Sequence, residues 1–168
     1  REFRDTEGII TFAIENDVFL GTDKHYTNGF RVAYQTPETV PGYVENFAEL
    51  FPFFRNDGRK RVSYSFGQNL YTPDDITKPV PDDDDRPYAG FLYGSVGLMS
   101  DTEKRLDNLE LTLGVVGPWA QGGRTQDFVH SQIDSPDPQG WDYQLENEPG
   151  FILAYQRKWK NKYEFYTP

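Results

Sequence analysis

The chain has 168 residues, enough for one domain with a hydrophobic core, and its formal net charge is −10 at pH 7. This acidic balance disfavours nucleic acid as a partner, because phosphate binding requires a basic surface. The absence of cysteine excludes a disulfide framework and a thiolate metal site. No apolar run approaches the roughly eighteen residues of a membrane-spanning helix. Transmembrane strands are not excluded by this, since their lipid-facing apolar residues alternate with polar ones.

Alternation of apolar and polar residues, which is typical of β-strands, recurs along the chain. Clear runs lie at Phe30 to Tyr34, Val62 to Phe66, Leu109 to Val115 and Phe151 to Tyr155, and weaker runs lie at Ile9 to Ile14 and Phe91 to Met99. These runs predict six strands, and a seventh is predicted to begin near Tyr163. The same alternation separates core from solvent in a soluble sandwich and lipid from lumen in a membrane barrel. The pattern alone therefore favours neither architecture.

Two connections are predicted to contain short helices. Apolar residues from Val44 to Phe54 follow helical spacing, with Pro41 before them and Pro52 in the last turn. This helix is expected to pack against an end of the sheet or at the membrane interface. A second helix is expected from Thr125 onward, with Thr125 as its N-cap. Gln126 and His130 would then lie four residues apart on one helix face.

In an up-and-down sheet, the connections after the first, third and fifth strands lie at the same end. Residues 18–27, 71–89 and 117–146 are therefore predicted to share one rim. At the opposite end, the connection SDTEKRLDN, residues 100–108, is expected to carry only solvated charge. The chemically suggestive groups all fall on the first rim, which predicts a single functional site there.

The first rim connection and the strand ends beside it are dense in polar side chains, most of which carry oxygen. Carboxylate and amide oxygens are hard ligands that suit a calcium ion, which takes six to eight oxygens. Asn and Asp also cap strand ends and form Asx-turns, a structural role that each residue taken singly fits better. The residues concerned are Glu15, Asn16, Asp17, Asp23, His25, Thr27 and Asn28.

The second rim connection contains an acidic run, Asp82 to Asp85, preceded by Asp74 and Asp75. The run is most simply a solvated surface segment, and the alternative is a weak cation site. Lys78 is the one cation between Asp74 and Asp85. A lysine here could neutralise a phosphate on a substrate, or it could be an exposed side chain paired with a neighbouring aspartate.

The third rim connection carries His130, and histidine can act as a general base at neutral pH. A lone histidine is nonetheless more often structural than catalytic. Serine hydrolase chemistry is disfavoured because the chain has no GxSxG motif. If an ester is cleaved, a water molecule activated by His130 is the simpler nucleophile, with a bound cation polarising the carbonyl.

The chain as a whole resembles the lipid A 3′-O-deacylase family of Gram-negative outer membranes. The motifs that carry the resemblance, in chain order, are END, TDKHYTNGFR, GQNLYTPDD, DRPYAG, VVGPWAQGGRTQDFVH and GWDYQLENEPG. The resemblance implies an all-β fold, an antiparallel up-and-down outer-membrane β-barrel that is twelve-stranded in the family, with short helices in its connections. It further implies calcium-dependent removal of the 3′-linked acyloxyacyl chain from lipid A, at a rim that faces the cell exterior. In the family, a histidine activates water and calcium stabilises the oxyanion.

The resemblance also implies roles for individual residues. Catalytic roles fall on His130, Gln126, Asn16, Thr27 and Lys78. The implied calcium ligands are Asp17, Asn16, Asn28 and Asp134. Asn28 enters as an extra ligand because this chain has TNG where some members have Thr-Ala-Gly. Better-known members have an acidic residue at the offset of Pro136, so Asp134 or Asp137 is expected to substitute.

Six or seven strands are about half of the family's barrel. Residues 1–168 are therefore expected to form a single domain that is the N-terminal half of a membrane barrel; the alternative is that several chains close one barrel. The expected partners are lipid A, or lipopolysaccharide, and other outer-membrane lipids. Two rival functions remain: an outer-membrane phospholipase, and a non-catalytic barrel, serving as a pore or adhesion surface, whose loops bind cations.

Overall fold

The computed structural model describes residues 6–16, 28–55, 57–133 and 137–160, with only the backbone described at Glu15, Asn16, Asn28 and Ile133. The described strands are β1 (Ile9–Asn16), β2 (Asn28–Gln35), β3 (Arg59–Tyr71), β4 (Ala89–Asp101), β5 (Arg105–Val116) and β6 (Glu148–Trp159). The helices are α1 (Gly42–Glu49) and α2 (Gly122–Ile133), with short 3₁₀ turns at Pro118–Ala120 and Trp141–Tyr143.

The six strands form one antiparallel sheet in the order β1-β2-β3-β4-β5-β6. Each strand pairs with its neighbours in sequence, which confirms the predicted all-β, up-and-down fold. Both weaker runs are strands, and β4 is longer than predicted because backbone pairing continues through its polar end to Asp101, opposite Leu106. The strand predicted near Tyr163 lies outside the described residues. No helix among the described residues is long and apolar enough to cross a membrane.

One face of the sheet carries an apolar band that crosses all six strands. Since side chains alternate between faces along a strand, directly paired residues lie on the same face. One such row consists of Phe12, Val32, Phe66, Gly94, Leu113 and Phe151. Every side chain of this row except that of the glycine is an exposed large hydrophobic group. A continuous exposed band of this kind is what strands that contact lipid present.

The opposite face carries small and polar residues and an ion pair that spans several strands. Arg31 on β2 donates to Glu110 on β5 over 2.9 Å, and Ser95 donates to the same carboxylate over 2.7 Å. A flat sheet would separate the two Cα atoms by about 14 Å across the strands and about 13 Å along them. The side chains cannot cover that separation, so the sheet curls toward its polar face. Gly67 and Gly97 pair with Arg31 and Glu110, and the side chains of Tyr93 and Ser63 lie in the space that a Cβ on each glycine would need.

At the end opposite the predicted site, α1 packs on the apolar face and forms a small core. Its buried members are Val44, Ala48, Phe54, Val62, Leu98 and Leu109. The predicted helix and its place against an end of the sheet are confirmed, but its predicted extent was wrong. The helix ends at Glu49, because Pro52 cannot donate a helical hydrogen bond and disfavours helical geometry in the residue before it.

This same end contains a buried carboxylate, contrary to the expectation of solvated charge. The side chain of Asp107 is fully buried. It accepts hydrogen bonds from Arg157 Nε over 2.6 Å, Arg105 Nε over 2.8 Å and the Tyr155 hydroxyl over 3.1 Å. The Tyr155 hydroxyl proton is shared with the carbonyl of Phe53, which lies 2.9 Å away and also accepts from Arg157 over 2.9 Å. Asp107 therefore ties β5 and β6 to the segment that follows α1.

Candidate functional site

Backbone register brings several predicted site residues to one end of the sheet. Asn16 and Asn28, the last residue of β1 and the first of β2, pair directly. Asn28 pairs with Leu70, and Leu70 pairs with Gly90. A Cβ atom placed on Gly122, the first residue of α2, would lie 3.1 Å from the Leu70 side chain. The start of α2 therefore lies over the same row of residues that begins with Asn16 and Asn28.

Five of the predicted residues lie outside the described residues: Asp17, Asp23, His25, Thr27 and Asp134. The roles expected of them, and of the side chains of Glu15, Asn16 and Asn28, therefore stay predictions. Lys78, Gln126 and His130 are described in full.

The N-cap predicted at Thr125 was wrong, since α2 begins three residues earlier, at Gly122. The amide of Thr125 donates to the carbonyl of Gln121 over 3.2 Å, and its hydroxyl donates to the same carbonyl over 3.3 Å. Gln121 itself has left-handed geometry, with φ of 57°. Two consecutive glycines disfavour a helix by intrinsic propensity, but here they let the start of α2 approach its neighbours closely.

The predicted pairing of Gln126 and His130 on one face of α2 is confirmed. Their Nε2 atoms lie 3.5 Å apart. Gln126 is 1% exposed, so its amide requires partners within the protein. The second partner is Trp141, whose indole Nε1 donates to Gln126 Oε1 over 2.7 Å. The residues Trp141, Gln126 and His130 thus form a chain of contacts from the packed interior of the rim to its surface.

Trp141 is held by a second aromatic residue, Tyr88. Their ring centroids lie 5.0 Å apart, and Tyr88 is fully buried. Burial raises the pKa of the Tyr88 hydroxyl above its ordinary value. A Cβ atom on Gly140 would lie 2.4 Å from the Tyr88 ring, so only glycine allows this approach. Sequence reasoning assigned no role to Trp141 or Tyr88, although both lie within motifs that carry the family resemblance.

Backbone hydrogen bonds join the two described rim connections into one packed unit. Gln139 donates to the carbonyl of Ile76 over 2.9 Å, and Leu145 donates to that of Tyr88 over 2.9 Å. The Tyr88 hydroxyl also donates to the Ile76 carbonyl over 3.2 Å. The predicted sharing of one rim by these two connections is therefore confirmed.

Replacing Gly122 with alanine is expected to destabilise this unit by about 1–3 kcal/mol, as overpacking does in well-packed cores. The new Cβ would lie 2.5 Å from the Trp141 ring, so the indole would have to move. The matched control is Gly42→Ala, because Gly42 also begins a helix and nothing lies within 4 Å of its Cβ position. Urea unfolding of both variants measures the difference, and equal midpoints would contradict the expectation.

Two carboxylates of the acidic connection between β3 and β4 fix its own backbone. Asp85 accepts hydrogen bonds from the amides of Asp74 and Arg86 over 2.8 and 2.7 Å. Asp75 accepts from the hydroxyl and amide of Thr77 over 2.6 and 3.0 Å. These bonds hold the pKa values of Asp85 and Asp75 below their ordinary values. Among the described residues, no group of three or more Asp, Glu or His side chains is placed to hold a metal ion.

Lys78 is paired within the same connection. Its ammonium group donates to Asp82 over 2.5 Å, and both side chains are partly exposed. The hydrogen bond to Asp82 raises the pKa of Lys78 above its ordinary value, which keeps the amine charged. An exposed pair of this kind contributes little to stability, so an anionic substrate group could replace Asp82 at small cost.

Comparisons with known proteins identify the family and the fold of the chain. The family model described as outer membrane protein LpxR matches residues 2–167. The solved structure of LpxR from Salmonella typhimurium is similar, with a TM-score of 0.70 and 19% sequence identity over 95% of this chain and 53% of that chain. This likeness establishes the fold, and the chain spans about half the length of that protein. No curated protein matches the chain significantly.

Proposed function

This chain belongs to the family of outer membrane protein LpxR, and from that premise we propose that the protein removes the 3′-linked acyloxyacyl chain from lipid A. The observation that carries the proposal is the contact between buried Gln126 and His130, on a helix that packs at one end of the sheet. A histidine held by a buried amide at the edge of an apolar surface suits hydrolysis of an ester whose acyl chain lies in lipid. The rim is proposed to face the cell exterior, where lipid A is found.

In the proposed reaction, His130 is the general base. It takes a proton from a water molecule as the water oxygen bonds to the acyl carbonyl carbon. When the bond from that carbon to the sugar oxygen breaks, His130 returns the proton to the departing 3′ oxygen. Gln126 positions His130, and the products are a fatty acid and lipid A with a 3′ hydroxyl group.

Substrate position is proposed to depend on both apolar and polar contacts. The apolar band of the sheet faces the acyl chains, and its row from Phe12 to Phe151 crosses every described strand. Lys78 holds an anionic group of the substrate in place of Asp82. Thr27 and Asn16 are proposed to contact polar groups near the scissile ester.

The residues proposed for calcium fit a hard cation by their chemistry, since Asp17, Asn16, Asn28 and Asp134 offer carboxylate and amide oxygens. The direct backbone pairing of Asn16 with Asn28 places two amide-bearing residues side by side at the strand ends. When bound, calcium would polarise the ester carbonyl and stabilise the oxyanion.

Mass spectrometry of lipid A from cells with and without the full-length protein tests this proposal. Loss of the 3′-linked acyl group is expected only when the protein is present, and only when purified membranes are supplied with calcium rather than a chelator. Phospholipids from the same membranes are analysed in parallel. Phospholipid turnover with intact lipid A would favour the phospholipase, and unchanged lipids of both classes would favour a non-catalytic barrel.

A further inference from the structure

We propose that Trp141 is a positioning residue that fixes, through Gln126, which nitrogen of His130 carries the proton. The catalytic meaning of this inference rests on the proposed hydrolysis, but the tautomer itself can be measured without any reaction.

The first contact settles the orientation of the Gln126 amide. An indole N–H can donate a hydrogen bond but cannot accept one. The atom that lies 2.7 Å from Trp141 Nε1 must therefore be the carbonyl oxygen of Gln126. The amide nitrogen then lies on the other side of the group, toward His130.

The second contact settles the tautomer of His130. The amide nitrogen of Gln126 can only donate, and it lies 3.5 Å from His130 Nε2. Nε2 must therefore present a lone pair, so neutral His130 carries its proton on Nδ1. The distance exceeds that of an ordinary N–H hydrogen bond, about 3.0 Å, so the contact is a weak one. Nε2 is the unprotonated nitrogen, and to act as the base it exchanges the contact with Gln126 for the attacking water, since one lone pair cannot accept from both.

The third set of contacts makes Trp141 a rigid partner. Its ring lies against Tyr88, with centroids 5.0 Å apart. The indole also packs against Gly122 and Gly123, where added Cβ atoms would lie 2.5 and 3.1 Å from it. Because Gln126 is itself buried, water does not compete for its carbonyl oxygen. The indole N–H is thus held where it sets the amide orientation.

Nitrogen-15 NMR of the histidine side chains in the full-length protein tests the tautomer, with the His130 signal assigned by its loss in His130→Gln. In the unaltered protein we expect a protonated Nδ1 and an unprotonated Nε2. Trp141→Phe keeps an aromatic ring at this position but removes the indole N–H that donates to Gln126, so a mixture of both His130 tautomers is expected. Trp119→Phe is the control, since Trp119 is exposed on the same connection, and it should leave the signals unchanged. An identical tautomer in Trp141→Phe and in the unaltered protein would overturn the inference.

A second variant protects the test against poor folding of Trp141→Phe. Gln126→Glu retains the acceptor for the indole but presents only acceptors to His130, because an ionised carboxylate cannot donate. Nε2 is then expected to be protonated, with Trp141 still in place. An Nε2 that stays unprotonated in this variant would also overturn the inference.

Kinetics then test the positioning role. Trp141→Phe is expected to lower kcat by roughly 10-fold, a part of what a positioned general base supplies, with KM changed by less than about 2-fold. In a Gln126→Ala background, the same change should have almost no further effect, because residues that act through one another are not additive. Fully additive losses, or a loss confined to KM, would contradict the role. If the unaltered protein hydrolyses no lipid A, the proposed function fails while the NMR result still decides the tautomer.

Discussion

Replacing His130 with alanine is expected to slow release of the 3′-linked acyl chain by on the order of 10²- to 10⁴-fold, the usual contribution of a positioned general base. His130 lies near the C-terminal end of α2, beyond the residues at which the helix start packs against the strands. The barrel should therefore still fold. The rate is measured with purified full-length protein and lipid A in calcium.

The matched control is Gln132→Ala, at an exposed position two residues further along α2. It tests whether truncation of a polar side chain on this helix is sufficient to slow the reaction, and it should retain the full rate. A His130→Ala protein that folds normally and hydrolyses lipid A at the unaltered rate would remove His130 as the base. Mass spectrometry of both variants at matched membrane level identifies the bond that is cleaved.

Replacing Asp107 with alanine is expected to destabilise the protein by about 3 kcal/mol, as removal of one member of a buried ion pair does. Arg157 and Arg105 would lose their shared carboxylate, and Tyr155 would lose one of its two acceptors. Arg105 would keep its ion pair with Asp57, but the largely buried charge of Arg157 would lose its carboxylate. Asp107→Asn should cost less, because the amide oxygen can still accept one of these hydrogen bonds.

Urea unfolding in detergent micelles measures this loss as a change in midpoint. The matched control is Glu103→Ala, since Glu103 is an exposed acid in the turn between β4 and β5. Its removal should change stability by no more than about 0.5 kcal/mol. Equal midpoints for the two variants would mean that Asp107 contributes no more than a surface charge.

Period-two alternation was sufficient to predict the strands, including the weak runs that became β1 and β4. The reason is that one face of this sheet is apolar in every strand, so even a run of six residues such as Ile9 to Ile14 carries the signal. Helix bounds were less predictable. Gly122 and Gly123 have poor helix propensity, and the close approach of the Trp141 ring to both, and of Leu70 to Gly122, explains their place in α2.

The contact between Gln126 and His130 was predictable because residues four apart on a helix are neighbours. Trp141 was not, because it lies fifteen positions after Gln126 and reaches it only through the fold of the whole connection. The burial of Asp107 was not predicted either, because it too depends on contacts with residues distant in sequence. Its burial depends on Tyr155, Arg157 and the segment after α1, which alternation within β5 does not reveal.

The ion pair between Arg31 and Glu110 has a consequence for transport. The two side chains meet over the concave side of the curled sheet and join β2 to β5, which are not neighbours. In a closed barrel, such an ion pair lies in the interior and narrows any axial path for ions or solutes. Ser95 donates to the same carboxylate and fills more of the interior beside it. A barrel whose strands are joined by side chains across its interior suits the support of a site at the rim better than it suits a channel.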